Sequence, residues 1–239
     1  MGTVVYCVIL GGYDNLRPPA VIEPGVRYVC FSDQWHNCPP WEIHPAPLPY
    51  QDTSRNSRIP KILPHLMFDA DYSIYHDGCL RMAIKPSALV AMLDGADLAM
   101  YPHPCRKSVF EEMDCCRRFD IGYGQEMEEQ VARYHAHGIG NELWAGGVVV
   151  RRHSDLVTLF NESWWREYKT GCGRDQFALA FARHSVGLNV ARIEGNILED
   201  SKRFQFCWHA DFEHIGDNGN FAAARRKERD RQSRLRGLL

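Results

Sequence analysis

The 239-residue sequence has no uninterrupted apolar run approaching the roughly 18 residues a transmembrane helix needs, so no membrane span is expected. Met1-Gly2-Thr3-Val4-Val5-Tyr6 lacks the basic start of a signal peptide and reads as the approach to a first strand. Nine cysteines are present, but none are spaced Cys-x-x-Cys, and Cys115-Cys116 are adjacent. An odd count in a long chain without an export signal argues against a disulfide scaffold, and the spacing argues against a zinc finger. The expectation is reduced thiols in the cytoplasm. Several catalytic signatures are also missing. There is no Gly-x-x-x-x-Gly-Lys-Ser/Thr loop, no Gly-x-Gly-x-x-Gly after the first strand, no Gly-x-Ser-x-Gly elbow and no His-Glu-x-x-His. Walker-type nucleotide binding, a dinucleotide fold, an α/β-hydrolase and a zincin each lose their main support.

What remains is a globular composition, 45% hydrophobic and 24% charged, with a formal net charge of -2. The charge is unevenly placed. Residues 225–239 carry seven Lys/Arg against two acids, leaving 21 basic against 28 acidic side chains in the body. We read residues 1–220 as one domain and 221–239 as a basic C-terminal helix or tail. Such a tail could hold phosphates and leaves a nucleic-acid partner open, although the acidic body weighs against it.

Along the chain, short β-rich runs alternate with helical patterns. Strands are predicted at 4–10, 26–31, 41–44, 72–75, 97–101, 144–151 and 187–193. Helices are predicted at 57–68, 86–93, 109–119, 125–137, 154–169 and 175–184, and residues 195–221 read as loop. Continuous apolar runs such as Val4–Leu10 are those of strands buried on both faces. The fold class is α/β, with a mixed, mostly parallel central sheet flanked by helices.

The strongest local signal is Tyr72-Ser73-Ile74-Tyr75-His76-Asp77-Gly78, a strand running into an Asp-Gly. It places the Asp77 carboxylate at the carboxyl edge of the sheet, where open α/β sheets bind ligands. Asp77 could hold a divalent cation or simply cap a turn. Arg55, Arg58 and Lys61 recur at i, i+3 and i+6, on one helix face that could grip a diphosphate or face solvent. Asp175 opens a helix, as a site carboxylate or as a favourable charge for the helix dipole. His209, in Trp208-His209-Ala210-Asp211, is a metal ligand or a structural imidazole.

Taken in order, nine segments resemble the TOD/MUCI glycosyltransferase-like domain family. They include Gly12-Tyr13-Asp14, Tyr28–Asp33, Ser57–His65, Tyr72–Gly78, His103–Arg106, Val109–Glu112, Ala145–Val148, Phe160–Trp165 and Arg174–Phe177, spanning about residues 4–200. That family is similar to retaining glycosyltransferases of the GT-A fold. The resemblance implies a single GT-A-like domain that transfers a sugar from a nucleoside-diphosphate donor, UDP-linked, to a glycan or other hydroxyl acceptor. It implies a divalent cation, Mn2+ or Mg2+, held by Asp77 with His209. It implies donor binding by Arg58, Lys61, His76, Asp77, Gly146 and Gly147, and catalytic roles for Asp175 and Gln176. The sequence departs from the family's Asp-x-Asp: Tyr75 stands where the first acid would be, so His76 or a distant carboxylate must substitute, or the metal binds weakly. A non-catalytic nucleotide-sugar or glycan-binding module and a nucleic-acid-modifying glycosyltransferase are the alternatives.

Overall fold

A computed structural model describes residues 2–207. His209 and the basic tail at 221–239 lie outside the described residues. The chain order is β1 (Thr3–Ile9), β2 (Val26–Ser32), β3 (Glu42–Pro45), α1 (Thr53–Ile62), β4 (Tyr72–His76), β5 (Leu80–Met82), α2 (Pro86–Ala91), β6 (Leu98–Pro102), α3 (Val109–Phe119), α4 (Gln125–Ala136), β7 (Trp144–Arg152), α5 (Asp155–Thr170), α6 (Asp175–Val186), β8 (Val190–Arg192) and β9 (Phe204–Phe206). Seven strands form one sheet in the order β3-β2-β1-β4-β7-β6-β8, with β4 at its centre. All its pairs are parallel except β4–β7 and β6–β7, so β7 alone runs against the rest. The expected mixed, mostly parallel α/β sheet flanked by helices is what forms.

The sheet is buried on both faces, and β1 shows why its sequence is apolar throughout. Val4, Tyr6 and Val8 enter a core with Ile62, Phe160, Trp164 and Leu179, beneath α1, α5 and α6. Val5, Cys7 and Ile9 enter a second core with Leu89, Leu80 and Phe204 on the opposite face. Alternate side chains of a strand point to opposite faces, so a strand covered on both sides needs apolar residues at every position.

Several boundaries differ from the sequence reading. The helix expected at 57–68 starts at Thr53, where the Asp52 side chain accepts from the Ser54 N–H as an N-cap. It ends at Ile62 because Pro64 disfavours the helical conformation of the residue before it, and a 3-10 turn, Pro64–Leu66, follows. The strand expected at 187–193 shortens to Val190–Arg192, because Gly187 caps α6 in the left-handed conformation (φ 68°). Of the pair β5–β9, β9 falls in the stretch read as loop and β5 in one to which no element was assigned. Each strand has only three residues, too few for an alternating pattern to show.

Candidate functional site

The central strand β4 ends at His76, and Asp77 follows at the carboxyl edge as expected. Its neighbour β7 runs antiparallel, which brings Gly146 and Gly147 beside the end of β4. The Asp77 N–H donates to the Gly147 carbonyl at 2.9 Å. A Cβ on Gly147 would stand 3.0 Å from Asp77 Oδ2 and from Ile197 Cδ1, and one on Gly146 would stand 3.2 Å from Lys61 Nζ. The paired glycines therefore let the functional side chains close over the strand.

Tyr75 takes a role the sequence reading missed. Its phenol donates to Asp77 Oδ1 at 2.7 Å, while Lys61 Nζ sits 5.1 Å from the centre of its ring. Burial first, and then the Asp77 carboxylate, push the Tyr75 hydroxyl well above its ordinary pKa. It stays a donor and aims the carboxylate. A tyrosine in place of the first acid thus orients Asp77 and adds no ligand charge.

Lys61 and Arg58 come from α1 and meet Asp175 at the start of α6. Lys61 Nζ lies 2.7 Å and Arg58 Nε 3.1 Å from Asp175 Oδ2, and Lys61 Nζ also lies 3.8 Å from Asp77 Oδ1. Burial alone would raise the Asp175 pKa. The charges of Lys61 and Arg58 and the hydrogen bond from Lys61 outweigh it and hold the carboxyl well below its usual range. The main chain is fixed as well, since Trp164 Nε1 donates to the Asp175 carbonyl at 2.8 Å. Behind Lys61, the fully buried Arg151 donates to the Lys61 carbonyl at 2.9 Å and to Tyr6 Oη at 3.0 Å. Arg55, by contrast, lies over the Tyr50 ring, 5.2 Å from its centre, away from this cluster.

Two cavities meet at Asp77 and Cys79, which line both. The first, about 340 Å³, has Gly146, Gly147, Gln176, His103 and Arg106 on its wall. The second, about 650 Å³, is walled by the end of β1, Gly11, Tyr13, Asp14 and the Arg58 face of α1. Both sizes fall within the roughly 300–1,000 Å³ of small-molecule pockets.

His76 is placed elsewhere. Its side chain is buried in the second core, with its ring 5.6 Å from Trp41 and 6.0 Å from Phe204, and it lines neither cavity. Its Nδ1 lies 3.0 Å from the Asp77 carbonyl, and burial pushes its pKa down. Period-two alternation along β4 sends Tyr75 to the Lys61 side and His76 to the opposite face. His76 can therefore brace the backbone of Asp77 but does not reach either cavity.

A divalent cation must be judged on this donor set. No group of three His, Cys, Asp or Glu able to hold a metal occurs among the described residues. Asp77 and Asp14 both face the second cavity. A protein-only cage is not what these residues offer. They do suit a hard cation that takes one or two carboxylates and completes its shell with water and substrate phosphate oxygens.

The model of the "TOD1/MUCI70, glycosyltransferase-like domain" family matches residues 41–212. The chain belongs to this family. The match takes in α1, β4, β7 and α6, and so every residue of the Lys61–Asp77–Asp175 cluster. The chain is 28% identical over 153 residues to "Probable hexosyltransferase MUCI70" of Arabidopsis thaliana, covering 58% of this chain. It spans only 26% of that relative's length. Among solved structures, the apo form of the bifunctional glycosyltransferase WbbM superposes with a TM-score of 0.50 at 12% identity, over 95% of this chain and 44% of that one. Apo mouse xyloside xylosyltransferase 1 gives a TM-score of 0.46 at 9% identity, over 81% of this chain and 86% of that one. The likeness to WbbM is one of fold, the mixed, mostly parallel α/β sheet flanked by helices.

Asp14 precedes the family match; the sequence reading placed it in the Gly12-Tyr13-Asp14 segment of the resemblance without assigning it a role. Gly78 makes room for it, since a Cβ there would fall 2.6 Å from Asp14 Oδ2. Beside that segment the signal was position: a Gly-Gly-Tyr-Asp turn at the carboxyl end of the first buried strand. Glu112, which ends the Val109–Glu112 segment of the resemblance, is a buried carboxylate contacted by both Arg106 and Arg174. Arg106 and Arg174 flank it from loops far apart in sequence, which no local motif reveals.

Proposed function

We propose that the chain is a glycosyltransferase that moves a sugar from a nucleoside-diphosphate sugar, a UDP-sugar, to a hydroxyl of a glycan or other acceptor. The observation that carries this reading is Asp77 at the junction of two cavities, with Lys61 and Arg58 on one side and the Gly146-Gly147 strand beneath. The family and its hexosyltransferase-named member support it. On this reading the nucleoside diphosphate occupies the larger cavity, and the sugar lies toward Gly146, Gly147 and Gln176. Departure of the diphosphate releases negative charge; Arg58 lines the larger cavity and Lys61 stands behind its wall, 3.8 Å from Asp77 Oδ1, so these are the protein cations nearest that charge. A Mn2+ or Mg2+ ion, held by Asp77 with phosphate oxygens, would add Lewis-acid stabilisation of the same charge. Tyr75 keeps Asp77 oriented toward that position. The Gln176 amide lines the first cavity, and Asp175, held ionised, lies behind Gly146, 3.7 Å from where a Cβ there would stand; on this reading both support positive charge developing at the anomeric carbon.

A cytoplasmic location belongs to the same reading. All nine cysteines are unpaired, as a reducing compartment favours. No helix among the described residues is long and apolar enough to cross a membrane.

The test is binding and turnover on one sample. UDP at about 100 times its dissociation constant should stabilise the protein by roughly 2.7 kcal/mol in the presence of Mn2+. Asp77→Asn should lose most of that shift, and a UDP-sugar panel should show Mn2+-dependent release of UDP. Absence of both binding and release across the panel would refute the proposal.

A further inference from the structure

A third cavity, about 680 Å³, lies beyond the first and shares with it His103, Pro104, Cys105, Arg106 and Asn196. Nothing in the proposed donor chemistry uses it. Its charged wall is one-sided: Arg106, Lys107, Arg183 and Arg192 against a single carboxylate, Glu142. The neutralising partners are incomplete. Arg106 shares Glu112 with Arg174, so one carboxylate serves two guanidinium groups. Arg192 pairs with Glu194 at 3.2 Å, but the two side chains are 58% and 76% exposed, where an ion pair contributes little and exchanges readily with other anions. Arg183 meets Glu142 at 3.0 Å through Nη1, yet its buried Nε has no hydrogen-bond partner among the described residues. The Trp144 indole N–H, on the same wall, is likewise buried without a partner. His103 adds no charge, because burial and then the neighbouring Arg106 and Arg174 push its pKa down to about 3.

We propose that this cavity is an acceptor subsite for an anionic saccharide, one carrying a carboxylate or a phosphate ester on the unit next to the reacting hydroxyl. The apolar wall of Trp144, Leu143 and Val190 suits the C–H face of a sugar ring, and the guanidinium groups suit the planar oxygens of its anion. The shared 103–106 loop joins the two cavities, so a sugar unit in the third cavity places its neighbour in the first, beside Asp77 and Gln176. The inference rests on the glycosyl-transfer reading for that neighbouring site, but it is tested without the donor.

Binding of methyl glucoside, methyl glucuronide and glucose 6-phosphate to the full chain is measured by ligand-observed NMR, with UDP binding measured on the same sample. At least one anionic sugar should bind about tenfold or more tighter than methyl glucoside, a gap of roughly 1.4 kcal/mol. The preference should shrink as salt is raised. Which anion wins identifies a uronic acid or a phosphorylated acceptor. Arg183→Gln combined with Arg192→Gln should bring the three affinities together. Should that variant fail to fold, Lys107→Gln combined with Arg192→Gln, both at exposed positions, carries the comparison. Equal affinities in the wild-type chain, no binding of any of the three, or an anion preference undiminished in the folded variant each overturn the proposal. Failure of UDP to bind bears on the transferase reading alone.

Discussion

Lys61 Nζ and Asp175 Oδ2 lie 2.7 Å apart although 114 positions separate them in the chain. Lys61 is 3% exposed and Asp175 13%, so water contributes little to holding the pair. Loss of one partner of a buried ion pair leaves the other charge uncompensated, at a cost of about 3–5 kcal/mol when nothing replaces it. Here Arg58 remains 3.1 Å from the same oxygen. Lys61→Met should therefore cost less, about 2 kcal/mol of stability in denaturant melts. UDP-sugar turnover should fall at least on the order of a hundredfold, because a cation facing the departing diphosphate is removed. Unchanged turnover would take Lys61 out of the leaving-group machinery.

Asp175→Asn probes the same contact from the other side. The amide leaves Lys61 and Arg58 facing each other without their shared counter-charge. Melting temperature should drop, a cost beyond the at most about 1 kcal/mol that a lost helix-start charge would explain. UDP affinity should hold or rise, since both cations become free for phosphate oxygens. Turnover should fall on the order of a hundredfold, about 3 kcal/mol of transition-state stabilisation. Wild-type turnover in a stable Asp175→Asn protein would reduce Asp175 to a structural counter-ion.

The sequence made the architecture readable because β1 carries an unbroken apolar run from Val4 to Ile9, and β4 and β7 are buried on both faces with their apolar runs interrupted only at Ser73, His76 and the closing Arg151-Arg152. Asp77 was readable for the same reason: a carboxylate directly after such a strand can stand only at the sheet edge. The Lys61–Asp175 contact was half visible. Each residue was a candidate, but their meeting depends on how α1 and α6 pack on one face of the sheet, and helix periodicity does not encode the packing angle. His76 was misleading because adjacency in sequence to Asp77 means opposite faces in a strand. Tyr75 was overlooked for a related reason: measured against an acidic motif it is a loss, whereas its hydroxyl reaches the very carboxylate it seemed to leave alone.

The glycine pair gives a sharper test of Asp77 than its own replacement. Gly147→Ala puts a methyl group 3.0 Å from Asp77 Oδ2 and Ile197 Cδ1. The carboxylate is 39% exposed and can give way, so the fold should survive with a loss of about 1 kcal/mol or slightly more. Mn2+-dependent UDP binding should weaken about tenfold, because the carboxylate is turned from its position. Gly146→Ala instead presses on Lys61 Nζ at 3.2 Å and should lower turnover more than UDP affinity. Identical effects of the two alanines on binding and turnover would contradict the separate roles of Asp77 and Lys61.

His103 makes a prediction about pH. Its Nδ1 accepts from the backbone N–H groups of Cys105 at 3.2 Å and Arg106 at 3.0 Å, and its Nε2 lies 3.0 Å from Arg106 Nη2. A protonated ring would turn a donor toward those two backbone donors, in a pocket that already holds Arg106 and Arg174, with Glu112 engaged by both. Burial and these charges push its pKa down to about 3 in the folded chain, against 6.5 for an unconstrained imidazole. In the window between these values the unfolded chain binds the proton and the folded chain does not. Stability from this group is therefore complete above about pH 6.5 and falls as the pH is lowered. At pH 5 the loss is about 2 kcal/mol, following roughly 1.4 kcal/mol per pH unit below the unfolded pKa. His153, pushed down to about 4 by burial and then by Arg151 and His65, contributes in the same direction, so the wild-type slope alone does not isolate His103. His103→Asn does, because the Asn carbonyl can accept the same backbone N–H groups while carrying no titratable proton. Denaturant melts between pH 7.5 and pH 5 should show a shallower decline in the variant, by about 2 kcal/mol across the interval. An equal decline in both proteins would mean that His103 is not held neutral by its surroundings. The loop joining the first and third cavities would then gain a positive charge in mild acid.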